Sequence, residues 1–122
     1  MSINIRKGMR FEKQARDYLC AQGLRLLRSN YHCRFGEIDL IMCDADTVCF
    51  VEVRYRKSLA YGGASASITI AKQRKIVKTA LSYLSSNRNL LNQPLRFDAL
   101  LIQQQADGSQ DFNWIRNAFY AE

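Results

Sequence analysis

Two short runs, residues 37–43 and 48–54, each set a carboxylate inside an otherwise apolar stretch: Ile38-Asp39-Leu40-Ile41-Met42 and Phe50-Val51-Glu52-Val53. An unpaired ionised carboxylate on a strand buried on both sides is destabilising by several kcal/mol or shifts its pKa, so Asp39 needs a partner, and a metal ion is a good one. Side chains alternate along a strand. Ile38, Leu40 and Met42 are therefore expected on one face, with Glu37, Asp39, Ile41 and Cys43 on the other. Glu52 and Arg54 share a face, opposite Cys49, Val51 and Val53. The polar turn Asp44-Ala45-Asp46 joins the two runs as an antiparallel hairpin. That pairing lets Asp39 and Glu52 converge on one divalent ion, with oxygen ligands of the kind Mg²⁺ prefers and Arg54 beside it.

Glu12 stands one helical turn from Ala15 and Arg16, at the edge of an apolar stripe, and is within reach of the same site. Taken alone, it is better read as a surface residue pairing with Arg16, an interaction worth well under ~1 kcal/mol. Asp98 sits in the apolar run of residues 97–102 and poses the same burial problem as Asp39. It is expected to be structural, paired with a buried basic side chain or capping a backbone group, and is not assigned to the metal.

Basic residues gather close by. Arg54, Arg56 and Lys57 lead into a segment with Gly62 and Gly63, and Tyr55 and Tyr61 lie among them, a composition suited to phosphate contacts and base stacking. Lys72, Arg74, Lys75 and Lys78 extend this positive surface if their helix packs near the site; a solvated helix face explains them equally well. Tyr83, Leu84 and Trp114 read more simply as core.

The elements that must hold these residues follow from periodicity. Residues 7–22 carry Phe11, Ala15, Tyr18 and Leu19 at helical spacing and stop at Gly23. A short strand at 24–27 should end in a turn near Ser29 and Asn30, ahead of the two strands at 37–43 and 48–54. Residues 56–67 read as a surface loop. A helix at 70–85 has Ile76, Val77, Ala80, Leu81 and Leu84 on one face, and strands at 96–102 and around 112–115 flank the Asp107-Gly108 turn. The order α-β-β-β-α-β-β predicts an α/β fold, a mixed β-sheet with helices on its faces.

The 122 residues suit one domain spanning 1–122, and no repeat or linker divides them. Eighteen Lys and Arg against 11 Asp and Glu give a net charge of +7, a field that favours polyanions. The chain begins without an apolar run of signal-peptide length, so a cytoplasmic protein without membrane attachment is expected. Cys20, Cys33, Cys43 and Cys49 form no CxxC pair and are expected to be reduced and mostly buried, a zinc role for Cys33 with His32 being the weaker reading.

The motifs Gly36-Glu37-Ile38-Asp39-Leu40-Ile41 and Phe50-Val51-Glu52-Val53-Arg54 are joined by Gly8, Glu12, Ala15, Asn30, Lys72, Arg96-Phe97-Asp98 and Asn117-Ala118-Phe119. Together they resemble the YraN-like family of small bacterial proteins, related in fold to archaeal Holliday-junction resolvases and other PD-(D/E)xK nucleases. The resemblance implies a restriction-endonuclease-like sheet in which Asp39, Glu52 and the Val53 carbonyl bind Mg²⁺ or Mn²⁺ and Glu12 assists. It also implies a C₂ homodimer, and nucleic acid, DNA ahead of RNA, is the expected partner, with Arg54, Arg56, Lys57, Lys72 and Lys75 as the candidate contacts that the basic residues themselves suggest. The sequence departs from the pattern at Arg54, where the motif has lysine. Arginine stays charged and binds phosphate oxygens well but is a poor base; Lys72 is the candidate replacement amine. Three readings therefore stand open: a Mg²⁺-dependent endonuclease for branched or flapped DNA, a nucleic-acid-binding module on a nuclease scaffold with weak or no catalysis, and a scaffold recruiting a protein partner in DNA repair or recombination, which no specific residue favours.

Overall fold

Gly23 ends the first helix because it adopts φ +100°, a conformation that a side chain disfavours. Its N–H bonds to the Cys20 carbonyl while that of Leu24 reaches the Leu19 carbonyl, the Schellman arrangement, with Leu19 and Leu24 both buried. The structure, a computed structural model, describes residues 3–56 and 68–121, and side chains within 10–56 and 68–121. Its elements are α1 (Ile3–Ala21), β1 (Arg25–Cys33), β2 (Gly36–Asp44), β3 (Thr47–Arg56), α2 (Ile70–Ser85), a 3-10 turn (Arg88–Leu90), β4 (Leu95–Gln104) and β5 (Gln110–Phe119). The expected order α-β-β-β-α-β-β is the one found.

The five strands lie in sequence order in one sheet. All neighbours are antiparallel except β3 and β4, which run parallel across the α2 connection. α1 covers one face, packing Phe11, Ala15 and Leu19 on Leu40, Met42, Val51, Leu100 and Ile102. α2 covers the other, packing Ile76, Ala80, Tyr83 and Leu84 on Ile41, Phe50, Phe97 and Leu101. Apolar burial on both faces explains why the central strands read as near-continuous hydrophobic runs. Thr69 caps α2, its side chain accepting the Lys72 N–H at 3.2 Å.

Four local expectations are corrected. Leu81 is exposed, because the 3.6-residue period carries it off the stripe formed by Ile76, Ala80, Tyr83 and Leu84. β1 does not turn near Ser29 and Asn30. Asn30 takes φ +53° within the strand, a conformation asparagine tolerates, and the chain reverses at Arg34 and Phe35. Alternation along β2 breaks at Asp39, since Ile38 packs on the α2 side and Leu40, two residues on, packs on the α1 side. Of the cysteines only Cys43 and Cys49 are buried, while Cys33 is half-buried and Cys20 exposed.

Asp98 is structural, as expected. Arg96 Nε donates to both of its oxygens at 2.9 and 3.1 Å, Trp114 Nε1 to Oδ2 at 3.0 Å, and the Asn117 N–H to Oδ1 at 3.1 Å. Between the pairs Phe97↔Phe119 and Ala99↔Ile115, β5 carries two more residues than β4. Asn117, at φ +54°, lies in that bulge, and Asp98 ties down its amide.

Candidate active site

The ladder between β2 and β3 runs from Asp44↔Thr47 to Leu40↔Val51 and goes no further. At the next position Asp39 Oδ2 accepts the N–H of Val53 at 2.8 Å, so a side chain takes over from the backbone ladder. A cavity of about 300 Å³ opens on the α1 side of this point, lined by Phe11, Glu12, Asn30, Glu37, Asp39, Val53 and Tyr55. Glu52 is not among the lining residues. It meets Asp39 from the neighbouring strand through a side-chain hydrogen bond, and Lys72 Nζ from α2 stands 4.0 Å from its Oε1. Asp39 on β2 thus meets Glu12 of α1 on one side and Glu52 and Val53 of β3 on the other, while Lys72 of α2 reaches Glu52.

Burial and crowding of like charge set the electrostatics. Glu52 is pushed up to about 7, first by burial and then by the charge of Asp39, with Lys72 and Arg54 opposing. Asp39 is raised by burial, against the lowering effect of its Val53 hydrogen bond. The shared hydrogen bond requires a proton, and it favours the ionised form of Asp39 and the protonated form of Glu52. Glu12 is also pushed up to about 7, by burial and then by Asp39 and Glu37. Its Oε1 is buried and has no hydrogen-bond partner among the described residues. The expected pairing with Arg16 does not form, because Arg16 turns to Asp17 at 3.4 Å.

Carboxyls held above their ordinary range by burial and by one another are relieved by a cation, and the Glu12 oxygen, unpartnered among the described residues, gives the cavity a further acceptor. Among the described residues no three His, Cys, Asp or Glu side chains form a ready metal cage. The donor set still suits Mg²⁺, which commonly takes one or two carboxylates and keeps several waters.

Arg54 is half-buried on β3, on the Glu52 face, and Arg56 is exposed at the strand end. Lys75 is exposed on α2, beside Gly36. Lys57, Tyr61, Gly62 and Gly63 lie outside the described residues. Tyr55 does not present a bare ring: it stacks on Phe11 with centroids 3.8 Å apart and donates its hydroxyl to Gln104. Tyr83 and Leu84 are buried, and half-buried Trp114 is held to Asp98. His32 faces Glu37, with Nδ1 and Oε2 3.2 Å apart. Sequence reasoning did not assign Glu37 or Asn30 to the site. Glu37 carried a signal, its shared face with Asp39; Asn30 carried only its tolerance of positive φ.

The fold and site define a mixed α/β domain with an acidic cavity where two central strands part. The chain belongs to the uncharacterised protein family UPF0102, whose profile matches residues 11–102 and so includes Glu12, Asp39, Glu52 and Lys72. It is 54% identical over 114 residues to a UPF0102 protein of Psychromonas ingrahamii, covering 93% of this chain and 88% of that one. A UPF0102 protein of Nitrosomonas eutropha is 52% identical over 119 residues, covering 98% and 97%. One of Stutzerimonas stutzeri is 45% identical over 119 residues, covering 98% of each. The membership agrees with the resemblance carried by the motifs. No described helix is long and apolar enough to cross a membrane.

Proposed function

We propose that the protein is a Mg²⁺-dependent endonuclease acting on DNA, with branched or flapped DNA as its substrate class. The observation that carries this reading is the junction of Asp39 and Glu52 where the β2–β3 ladder ends. Asp39, Glu52 and the Val53 carbonyl would hold the ion, which supplies Lewis acidity to a phosphodiester and acidifies water.

The chain's own groups provide the rest. The Val53 N–H fixes the Asp39 carboxylate in one orientation. Arg54 offers the planar donors of its guanidinium to phosphate oxygens as negative charge builds on them. Lys72, held near Glu52, brings an amine to the place that Arg54 leaves without one, where it can orient water. Glu12 Oε1, with its carboxyl near 7, can take the proton that the attacking water loses. Arg54, Arg56, Lys72 and Lys75, in a chain of net charge +7, attract the DNA backbone. A C₂ homodimer would match a substrate with two equivalent strands.

The second reading, a nucleic-acid-binding module without turnover, is favoured by arginine at position 54. Labelled single-stranded, duplex, flapped and four-way-junction DNA, incubated with Mg²⁺ or Mn²⁺, separates the two. Metal-dependent cutting that disappears in both Asp39→Ala and Glu52→Ala supports the endonuclease. Salt-dependent binding without cutting replaces it with the binding module.

A further inference from the structure

The end of the β1–β2 hairpin carries Arg34 and Phe35 between the paired residues Cys33 and Gly36. Phe35 is 38% exposed, and the Arg34 guanidinium lies over its ring, 4.8 Å from the centroid. A single exposed phenylalanine is ordinary on a protein surface. This one is distinguished by how firmly its base is fixed and by what stands next to it.

Gly36 adopts φ +148°, and a Cβ there would lie 3.4 Å from Thr79 Oγ1 and 3.9 Å from Lys75 Cβ. The hairpin end therefore rests directly on α2, and Tyr31 adds a second tie through its hydroxyl, 3.0 Å from Ser82 Oγ. Two residues beyond Phe35, about 7 Å along the strand, Glu37 lines the acidic cavity. An apolar ring and an arginine stacked on it thus stand at the hairpin end two residues from Glu37 of the cavity, with Lys75 beside the hairpin on the α2 side.

We propose that Phe35 and Arg34 form a stacking platform for an unpaired base next to the acidic cavity, so that the hairpin end selects flapped or gapped DNA over continuous duplex. The inference rests on the nucleic-acid reading of the site. Bases within a duplex have both faces covered by their neighbours, whereas an unpaired base can stack on the ring while Arg34 and Lys75 meet its flanking phosphates. Selection then follows from which nucleotides have a free face, with no need for base-edge hydrogen bonds.

The test measures binding by fluorescence anisotropy, without divalent metal, on a duplex and on a flapped DNA of equal length, for the natural protein, Phe35→Ala and Phe35→Trp. The natural protein should favour the flap. Phe35→Ala should weaken flap binding about 5-fold or more while leaving duplex binding nearly unchanged. Phe35→Trp should retain the preference, with indole emission beyond that of Trp114 quenched by the flap and not by the duplex. An alanine variant that keeps the natural flap-to-duplex ratio, at unchanged melting temperature, overturns the platform while leaving the proposed nuclease intact. Failure of the natural protein to bind either DNA removes the nucleic-acid reading itself, and the platform with it.

Discussion

Asp39, one residue past the last backbone pair Leu40↔Val51, accepts at 2.8 Å the backbone N–H of Val53, two residues past it on the partner strand. The carboxylate thus replaces a ladder hydrogen bond and opens the sheet beside Glu52. Several consequences of this arrangement can be measured.

Stability of the metal-free protein should fall as pH rises through the range set by Glu12 and Glu52. Both are raised from 4.5 to about 7 in the folded protein, so the unfolded chain loses these protons first. Their stabilising contribution is full below about 4.5 and is lost as pH rises through about 7. Melting temperatures between pH 5 and 8 should show this decline, should flatten in Glu12→Gln and Glu52→Gln, and should recover with Mg²⁺ at pH 8 more than at pH 5. A Mg²⁺ effect equal at both pH values would contradict it.

Lys72 lowers the pKa of Glu52, and on the proposed reading it supplies the amine absent at position 54. Lys72→Met should therefore move the Glu52 carboxyl further up in an NMR titration and reduce cleavage about 10²-fold or more. Arg54→Lys added to that variant should recover part of the loss. An unmoved Glu52 titration and unchanged cleavage would return Lys72 to an ordinary solvated residue.

Asp98→Ala should destabilise the fold by about 3 kcal/mol or more in urea unfolding, because it leaves Arg96, Trp114 Nε1 and the Asn117 amide without their buried acceptor. Asp44→Ala should cost only about 1 kcal/mol, since Asp44 is one-third exposed and accepts a single Arg96 N–H. Comparable losses from the two variants would overturn this division of roles.

Much of this arrangement was legible in the sequence, and the exceptions share a cause. α2 spans the expected Ile70–Ser85, and the hairpin holding Asp39 and Glu52 follows from two apolar runs around a polar turn. These signals are local and periodic. The extension of β1 through Asn30, the side switch between Ile38 and Leu40, and the two extra residues in β5 are irregularities fixed by contacts distant in the chain. A period-2 reading cannot register them. The burial problem did identify Asp39 and Asp98 as needing partners, but the partners themselves, the Val53 amide for one and Arg96, Trp114 and Asn117 for the other, depend on tertiary register. Glu12 was underrated for the same reason: its neighbours in sequence suggest a surface pair, whereas its neighbours in space are Asp39 and Glu37.

The most direct measurement is Mn²⁺ binding at pH 8, followed by electron paramagnetic resonance, for the natural protein, Asp39→Asn and Glu52→Gln. The account predicts that the natural protein takes up the ion and that each variant binds it at least about 10-fold more weakly while remaining folded. Binding of Mn²⁺ by both variants as tightly as by the natural protein would contradict the assignment of Asp39 and Glu52 as the metal site.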